Sequence, residues 1–339
     1  MITLDYPQIQ KEVFQDLPPR TQEVLRRRFG LENQKKETLE SIGQGFQVTR
    51  ERVRQVEKVG LDKLRDKGLG KIQPVVENFS RYLKSHGNLK RENSLLEEIG
   101  GEQYKPYVRF FLVLAPNFYR VRETEFFYPF WTLEPEQATE VETTLQLLLK
   151  RLEELNHPLS LEEILALDLP YNKSFILSCL EAAKRIEPNW QKAYGLTDWP
   201  EINPRRLRDK IYLVLKEGKH PLHFSQVTNL VNEFGQKITF PVFKKPALTQ
   251  TVHNELIRDE RFVLVGRGIY ALSQWGYEPG TVTDVIIKIL RQSGKPLSRE
   301  EIITQALKQR MVEETTILLN LSREKTFERC PDGRYRLVQ

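Results

Sequence analysis

A mainly α-helical fold with small β-hairpins is what this sequence predicts, on three observations. Apolar residues between 38 and 56 fall at Leu39, Ile42, Phe46, Val48, Val53 and Val56, a helical pattern with a corner in it. Three later stretches, "RLEELNHPLSLEEIL" (151–165), "VLKEGKHPLHFSQV" (214–227) and "ILRQSGKPLSREEII" (289–303), read alike. Each is followed by alternating apolar residues around a Pro/Asn- or Gly-containing turn, the mark of a β-hairpin. At 339 residues the chain is long enough for two to five compact domains.

The corner comes first in the chain. No uninterrupted helix accounts for the apolar set, because Val48 to Val53 skips more than a turn of the buried face. Two helices joined by a tight turn do. Leu39 and Ile42 lie on the first, Phe46 and Val48 pack at the corner, and Val53 and Val56 are buried by the second. Gly43 is small where the two cross, and Thr49 is placed to cap the second helix through its hydroxyl. This is a helix-turn-helix, whose second helix enters a DNA major groove by its N-terminal residues.

The residues left exposed on that helix are Arg50, Glu51, Arg52, Arg54, Gln55 and Lys58. Arginine grips guanine O6 and N7 with two donors, glutamate accepts from the cytosine amino group, and glutamine pairs with adenine. A plain solvated helix alternates charge at i, i+4 for internal pairs. Arg50, Arg52 and Arg54 instead repel one another unless an anion is expected.

The three similar stretches each carry a helix, a polar turn with Asn or Gly, then Pro158, Pro221 or Pro296, a Leu, and a new helix. Ser160 with Glu163, and Ser298 with Glu301, have capping-box spacing; His223 or Ser225 suits the middle copy less well. Helix, short extended piece, helix, helix and hairpin is the winged-helix arrangement. Residues 72–134 read as a fourth, more worn copy. The expected layout is therefore a helix-turn-helix domain at 1–70, divergent winged-helix-like domains at 71–135 and 136–200, a larger one at 201–278 and a last at 279–339. Arg267, between two glycines at one hairpin tip, and Arg334, after Pro-Asp-Gly in the last hairpin, are candidate wing contacts to a minor groove or a phosphate. Lys244 and Lys245 in the middle copy's insertion are further candidates. Trp199, Trp275, Tyr194 and Tyr270 are read as hairpin anchors.

Composition narrows the function. Hydrophobic residues make up 39% and charged residues 29%, a globular profile, and the net charge of +6 is compatible with a polyanionic partner. The longest apolar run, Phe110 to Ala115, is too short to cross a bilayer, and the first residues show no secretory pattern, so a cytoplasmic location without membrane is expected. Cys179 and Cys330 form no C-x-x-C pair, and His86, His157, His220, His223 and His253 have no ligand spacing. There is no phosphate loop and no marked carboxylate pair. No catalysis, metal, cofactor or small-molecule substrate is expected.

"LPPR", "VLRRRFGL", "TLESIG", "VTRERVRQVE" and "LDKLR", spread over Leu17 to Arg65, closely resemble region 4 of the sigma-70 family of RNA polymerase sigma factors. The resemblance implies that Arg50, Glu51, Arg54 and Gln55 face base edges of a promoter −35 element in double-stranded DNA. It implies phosphate contacts from Thr38, Leu39, Arg52 and Lys58, the first two at a helix N-terminus. It also implies that Leu17, Val24, Leu25 and Phe29 clasp the β flap of the RNA polymerase core, although they equally suit this domain's own core. The chain shows no promoter-melting segment and carries the resemblance first rather than last, so a complete initiation factor is not implied. "GKHPLHFSQVTNLV" and "TVHNELIRDERFVLVGRGIYALSQWGY", within 207–277, resemble the HARE-type winged helix shared with the polymerase delta subunit. Three readings follow: a transcription factor reading −35-like DNA, a polymerase-bound adaptor without sequence-specific reading, and, on the HARE resemblance alone, an accessory protein of a DNA-modifying defence system.

Overall fold

The computed structural model describes residues 4–32, 35–237, 245–277, 280–310, 312–323 and 325–338. The fold is mainly α-helical with small antiparallel strand pairs. It divides into two compact units, Met1–Thr197 and Asp198–Gln339.

The first unit opens with α1 (Tyr6–Phe14), α2 (Pro19–Phe29), α3 (Leu39–Phe46) and α4 (Arg50–Ser85). The expected boundary at 70/71 lies inside α4, which runs unbroken for 36 residues. Its stripe of Leu61, Leu64, Ile72, Val75, Phe79 and Leu83 keeps helical spacing across that point, and all six are buried. Pro74 sits within the helix on its exposed face, where the lost hydrogen bond to the carbonyl four residues back is tolerated because the opposite face is held by the core. A single apolar cluster spans both sides of the expected boundary, from Phe14, Leu25 and Phe29 through Phe79 to Phe110 and Trp131. Phe110 meets Phe14 and Phe29 edge-on at 5.5 and 5.3 Å, so the first 70 residues and the next 60 or so share one interior.

Beyond α4 come β1 (Leu89–Arg91), α5 (Glu92–Leu114, broken at Gly101 with φ +53°), β2 (Tyr119–Val121) and β3 (Phe130–Thr132). The strands form an antiparallel sheet in the order β1-β3-β2. Then follow α6 (Gln137–Leu155), α7 (Leu161–Ala166), α8 (Lys173–Ala182), β4 (Ile186–Pro188) and β5 (Tyr194–Leu196). Ser178 Oγ donates to the His86 carbonyl at 2.7 Å, and buried Lys90 pairs with Glu181 at 3.0 Å, tying α8 to the β1 sheet.

The second unit contains α9 (Leu207–Gly218), β6 (Leu222–His223), α10 (Phe224–Lys237), α11 (Thr249–Arg258), β7 (Phe262–Gly266) and β8 (Ile269–Leu272), with sheet order β6-β8-β7. It ends with α12 (Val282–Ser293), α13 (Arg299–Gln309), α14 (Glu314–Arg323), β9 (Phe327–Arg329) and β10 (Tyr335–Leu337).

One element order therefore recurs, and its details recur with it. The residue two places before each proline, Asn156, Lys219 or Gly294, ends its helix in the left-handed region at φ 53°, 55° and 63°. The leucine after each proline pairs with the second hairpin strand: Leu159 with Tyr194, Leu222 with Tyr270, Leu297 with Tyr335. Leu89 makes the equivalent pairing with Thr132 in the segment without that proline. The capping boxes of Ser160 with Glu163 and Ser298 with Glu301 are both formed. In the middle copy only half a box exists, with the His223 N–H donating to Gln226 at 3.1 Å.

Candidate nucleic-acid interface

The turn between α3 and α4 is fixed by backbone geometry. Gln47 takes the left-handed conformation at φ 55°, and the Val48 N–H donates to the Gly43 carbonyl at 2.9 Å. This brings the chain so close to α3 that a Cβ on Gly43 would sit 2.7 Å from the Val48 carbonyl oxygen. Both helices have side-chain caps: Thr38 Oγ1 accepts from Ser41 N–H at 3.1 Å and Thr49 Oγ1 from Arg52 N–H at 3.2 Å. Beneath the corner Val24, Ile42 and Val53 are buried, with Leu39, Phe46, Val48 and Val56 packed around them. α2 thus supplies a third wall to the two-helix corner.

Charged pairs hold that wall in place. Arg27 grips Glu37 with two bonds of 2.8 and 2.7 Å, and Glu37 also accepts from Ser41 Oγ at 2.9 Å. Those bonds, Arg27 first, pull the Glu37 carboxyl down to about 2. Arg20 and Arg27 lie over the Phe46 ring at 5.3 and 5.5 Å. Arg28 reaches Glu57 at 3.3 Å and the Glu37 carbonyl at 3.2 Å, joining α2 to α4 and to the connection that leads into α3.

Over this core Arg50, Glu51, Arg52, Arg54, Gln55 and Lys58 are all exposed at the start of α4. Val53 is the residue of this turn that is buried, at 1% exposure. Arg54 makes a two-bond pair with Glu51 at 2.9 and 2.6 Å, and Arg52 donates to Gln55 at 3.2 Å. The pairing lowers the Glu51 pKa and raises that of Arg54. Both partners are more than half exposed, so water screens the pair and it yields readily to a desolvated two-donor contact. At the other helix start, Thr38 is exposed and Leu39 half-buried, with the α3 N-terminus beside them.

Residues 13–66 match the family described as Sigma-70, region 4. Similar proteins over this segment include the RNA polymerase sigma factor RpoD of Neisseria gonorrhoeae, 48% identical over 58 residues, 17% of this chain and 9% of that protein. The sigma factor SigA of Nostoc sp. is 53% identical over 55 residues, 16% of this chain and 14% of its own. The sigma factor SigA1 of Synechococcus elongatus is 55% identical over 53 residues, 16% and 13% respectively. The chain thus spans less than a sixth of the length of these relatives. The region 4 segment is the part of the chain that carries the corner, the two capped helices and the exposed arginine row.

Leu17, Val24, Leu25 and Phe29 are 5%, 2%, 0% and 8% exposed, so of the two roles the sequence left open for them their side chains take the one in the protein's own interior. Val24 is covered by the α3–α4 corner, while Phe110 and its neighbours in α5 cover the side of α2 on which Leu25 and Phe29 lie. Sequence reading also missed the Arg27–Glu37 pair and the Arg28–Glu57 link, whose partners lie ten and 29 residues apart across turns that no local pattern spans.

The wing candidates are elsewhere. Arg267 is exposed at the β7–β8 tip, and Arg334 is exposed near β10 with Asp332 at 3.9 Å. Both lie in the second unit. Lys245 is exposed, whereas Lys244 lies outside the described residues. Among the described residues no helix is long and apolar enough to cross a membrane, and no group of three or more His, Cys, Asp or Glu side chains is placed to hold a metal ion.

Proposed function

We propose that this protein is a DNA-binding transcription factor that reads −35-like promoter duplexes through the start of α4. Arg50, Glu51, Arg54 and Gln55 meet base edges, and Thr38, Leu39, Arg52 and Lys58 hold flanking phosphates. The observation that carries the proposal is the arginine row standing exposed on a capped helix over its own small core. The helix N-termini at Thr38 and Thr49 add donors and positive potential toward phosphate. The recurring element order supports tandem winged-helix modules after the region 4 segment, the 207–277 copy of the HARE type. Arg267 and Arg334 make these modules suited to further DNA, and the RNA polymerase core is the protein partner that the sigma-factor relatives suggest. No catalytic step enters this role, and the cytoplasm is where it would be exercised.

Fluorescence anisotropy with labelled −35-like and scrambled duplexes, across a salt series, tests the reading. The logarithm of the affinity should fall linearly with the logarithm of salt, at about 0.9 per neutralised phosphate. Arg54→Ala should lower the preference for the −35-like duplex about tenfold, while Lys58→Ala weakens both duplexes alike and lowers the salt slope by about 1. Equal losses on both duplexes from both variants, together with nuclease-resistant capture by core polymerase, would favour the polymerase-bound adaptor instead.

A further inference from the structure

We propose that the cleft between the region 4 helices and the segment appended to them binds a small polyphosphate anion, either free pyrophosphate or the phosphates of a nucleotide. The cleft has a volume of about 380 Å³, within the range of small-ligand sites and concave where a duplex is convex. Its charged lining is Arg28 from α2, Lys36 from the α2–α3 connection, Glu57 from α4, Glu92 and Arg109 from α5, and Arg120 from β2. Three of these lie within residues 13–66 and three beyond, so the site exists only because this chain continues past its region 4 segment.

The charges do not balance. Glu92, its side chain 7% exposed, forms an ion pair with Arg109 through one oxygen at 3.2 Å and accepts from Arg120 through the other at 2.6 Å. Glu57 is engaged by Arg28. Lys36 has no carboxylate within ion-pair distance among the described residues. Four cations therefore face two carboxylates, an excess of two positive charges, four minus two. Lys36 is exposed at the cleft rim, and its pKa is lowered first by partial burial and then by the Arg28 and Arg109 charges, with Glu92 opposing.

The unused hydrogen-bonding capacity has the same sense. A guanidinium carries five N–H donors, and one shared carboxylate cannot occupy all ten of Arg109 and Arg120. Arg109 Nε is buried without a partner, as is the indole N–H of Trp131, a residue of the cleft wall that is itself 2% exposed. Donors without acceptors, held by one buried carboxylate bridging two arginines, call for a compact ligand rich in acceptor oxygens and carrying at least two negative charges. A polyphosphate has that composition.

Isothermal titration of the full-length chain with pyrophosphate, and separately with ADP, tests this inference. One saturable site is expected, with Lys36→Ala and Arg120→Gln each weakening binding about tenfold. Lys150→Ala, which removes an exposed lysine from α6, should leave it unchanged. Tighter binding of ADP than of pyrophosphate identifies a nucleotide, and equal binding identifies the free polyphosphate. Absence of saturable binding, an effect of Lys150→Ala equal to that of Lys36→Ala, or displacement of pyrophosphate by a −35-like duplex would overturn the inference. Because duplex binding is measured on its own, failure here is separable from failure of the transcription-factor reading.

Discussion

Replacing Gly43 by alanine pits two effects of known size against each other. Alanine is the better helix former by about 0.8–1.0 kcal/mol. The new Cβ, however, would lie 2.7 Å from the Val48 carbonyl oxygen, a backbone atom that cannot swing aside. Relief requires α3 and the turn to separate by about half an ångström, which strains the Val48–Gly43 hydrogen bond and the packing of Ile42 on Val53. Overpacking costs about 1–3 kcal/mol, and a 2.7 Å approach to a backbone atom belongs in the upper part of that range, about 2–3 kcal/mol, so the net destabilisation is about 1–2 kcal/mol. For a unit of this size that lowers the melting temperature by roughly 2–8 °C. Gly70→Ala is the matched control. A Cβ there meets nothing within 4 Å on an exposed helix position, so only the helix gain remains, about 0.5–1 kcal/mol of stabilisation. Calorimetry would follow both variants, with amide exchange over residues 38–60 to localise the change. If Gly43→Ala proved neutral or stabilising, as Gly70→Ala should be, the close approach at the corner would be refuted as the reason for glycine.

Other outcomes follow from the same structure. Glu37, held near 2 by Arg27 and Ser41, contributes stability that is complete above its unfolded value of about 4.5 and lost as pH falls from there toward 2. Allowing for a side chain 23% exposed, Glu37→Gln should remove about 1–2 kcal/mol at neutral pH and flatten acid unfolding between pH 4.5 and 2. Leu25→Ala, at a fully buried position, should cost about 2–5 kcal/mol in chemical denaturation. Unchanged stability with lost polymerase binding would restore its reading as a surface contact. Pro74→Ala should raise the melting temperature, since it supplies a missing backbone donor on the exposed face of α4. A lowered melting temperature would mean that the proline sets a bend the core requires.

What the sequence by itself determined was whatever depends on neighbours along the chain. The interrupted spacing of Leu39, Ile42, Val48 and Val53 demands a corner, because helical periodicity cannot be kept across it. Thr49, Ser160 and Ser298 announce their caps from three residues away, and the recurring Pro-Leu pairs announce a strand that the structure matches to a hairpin tyrosine in each copy. The exposed arginine row followed from the same periodicity, since burying Val53 leaves Arg50, Arg52 and Arg54 outward.

Only the tertiary structure decided what depends on distant partners. The repeat layout placed a domain boundary at 70/71, yet α4 runs through that point and past Pro74 because its apolar stripe continues against α5 and outweighs the local helix breakers. Leu25 and Phe29 could have faced a partner or a core with the same pattern; Phe110, some eighty residues further on, decides for the core. The Arg28–Glu57 link and the cation-rich cleft around Glu92 bring together side chains from five elements, and local spacing carries no information about which charges will meet across such separations.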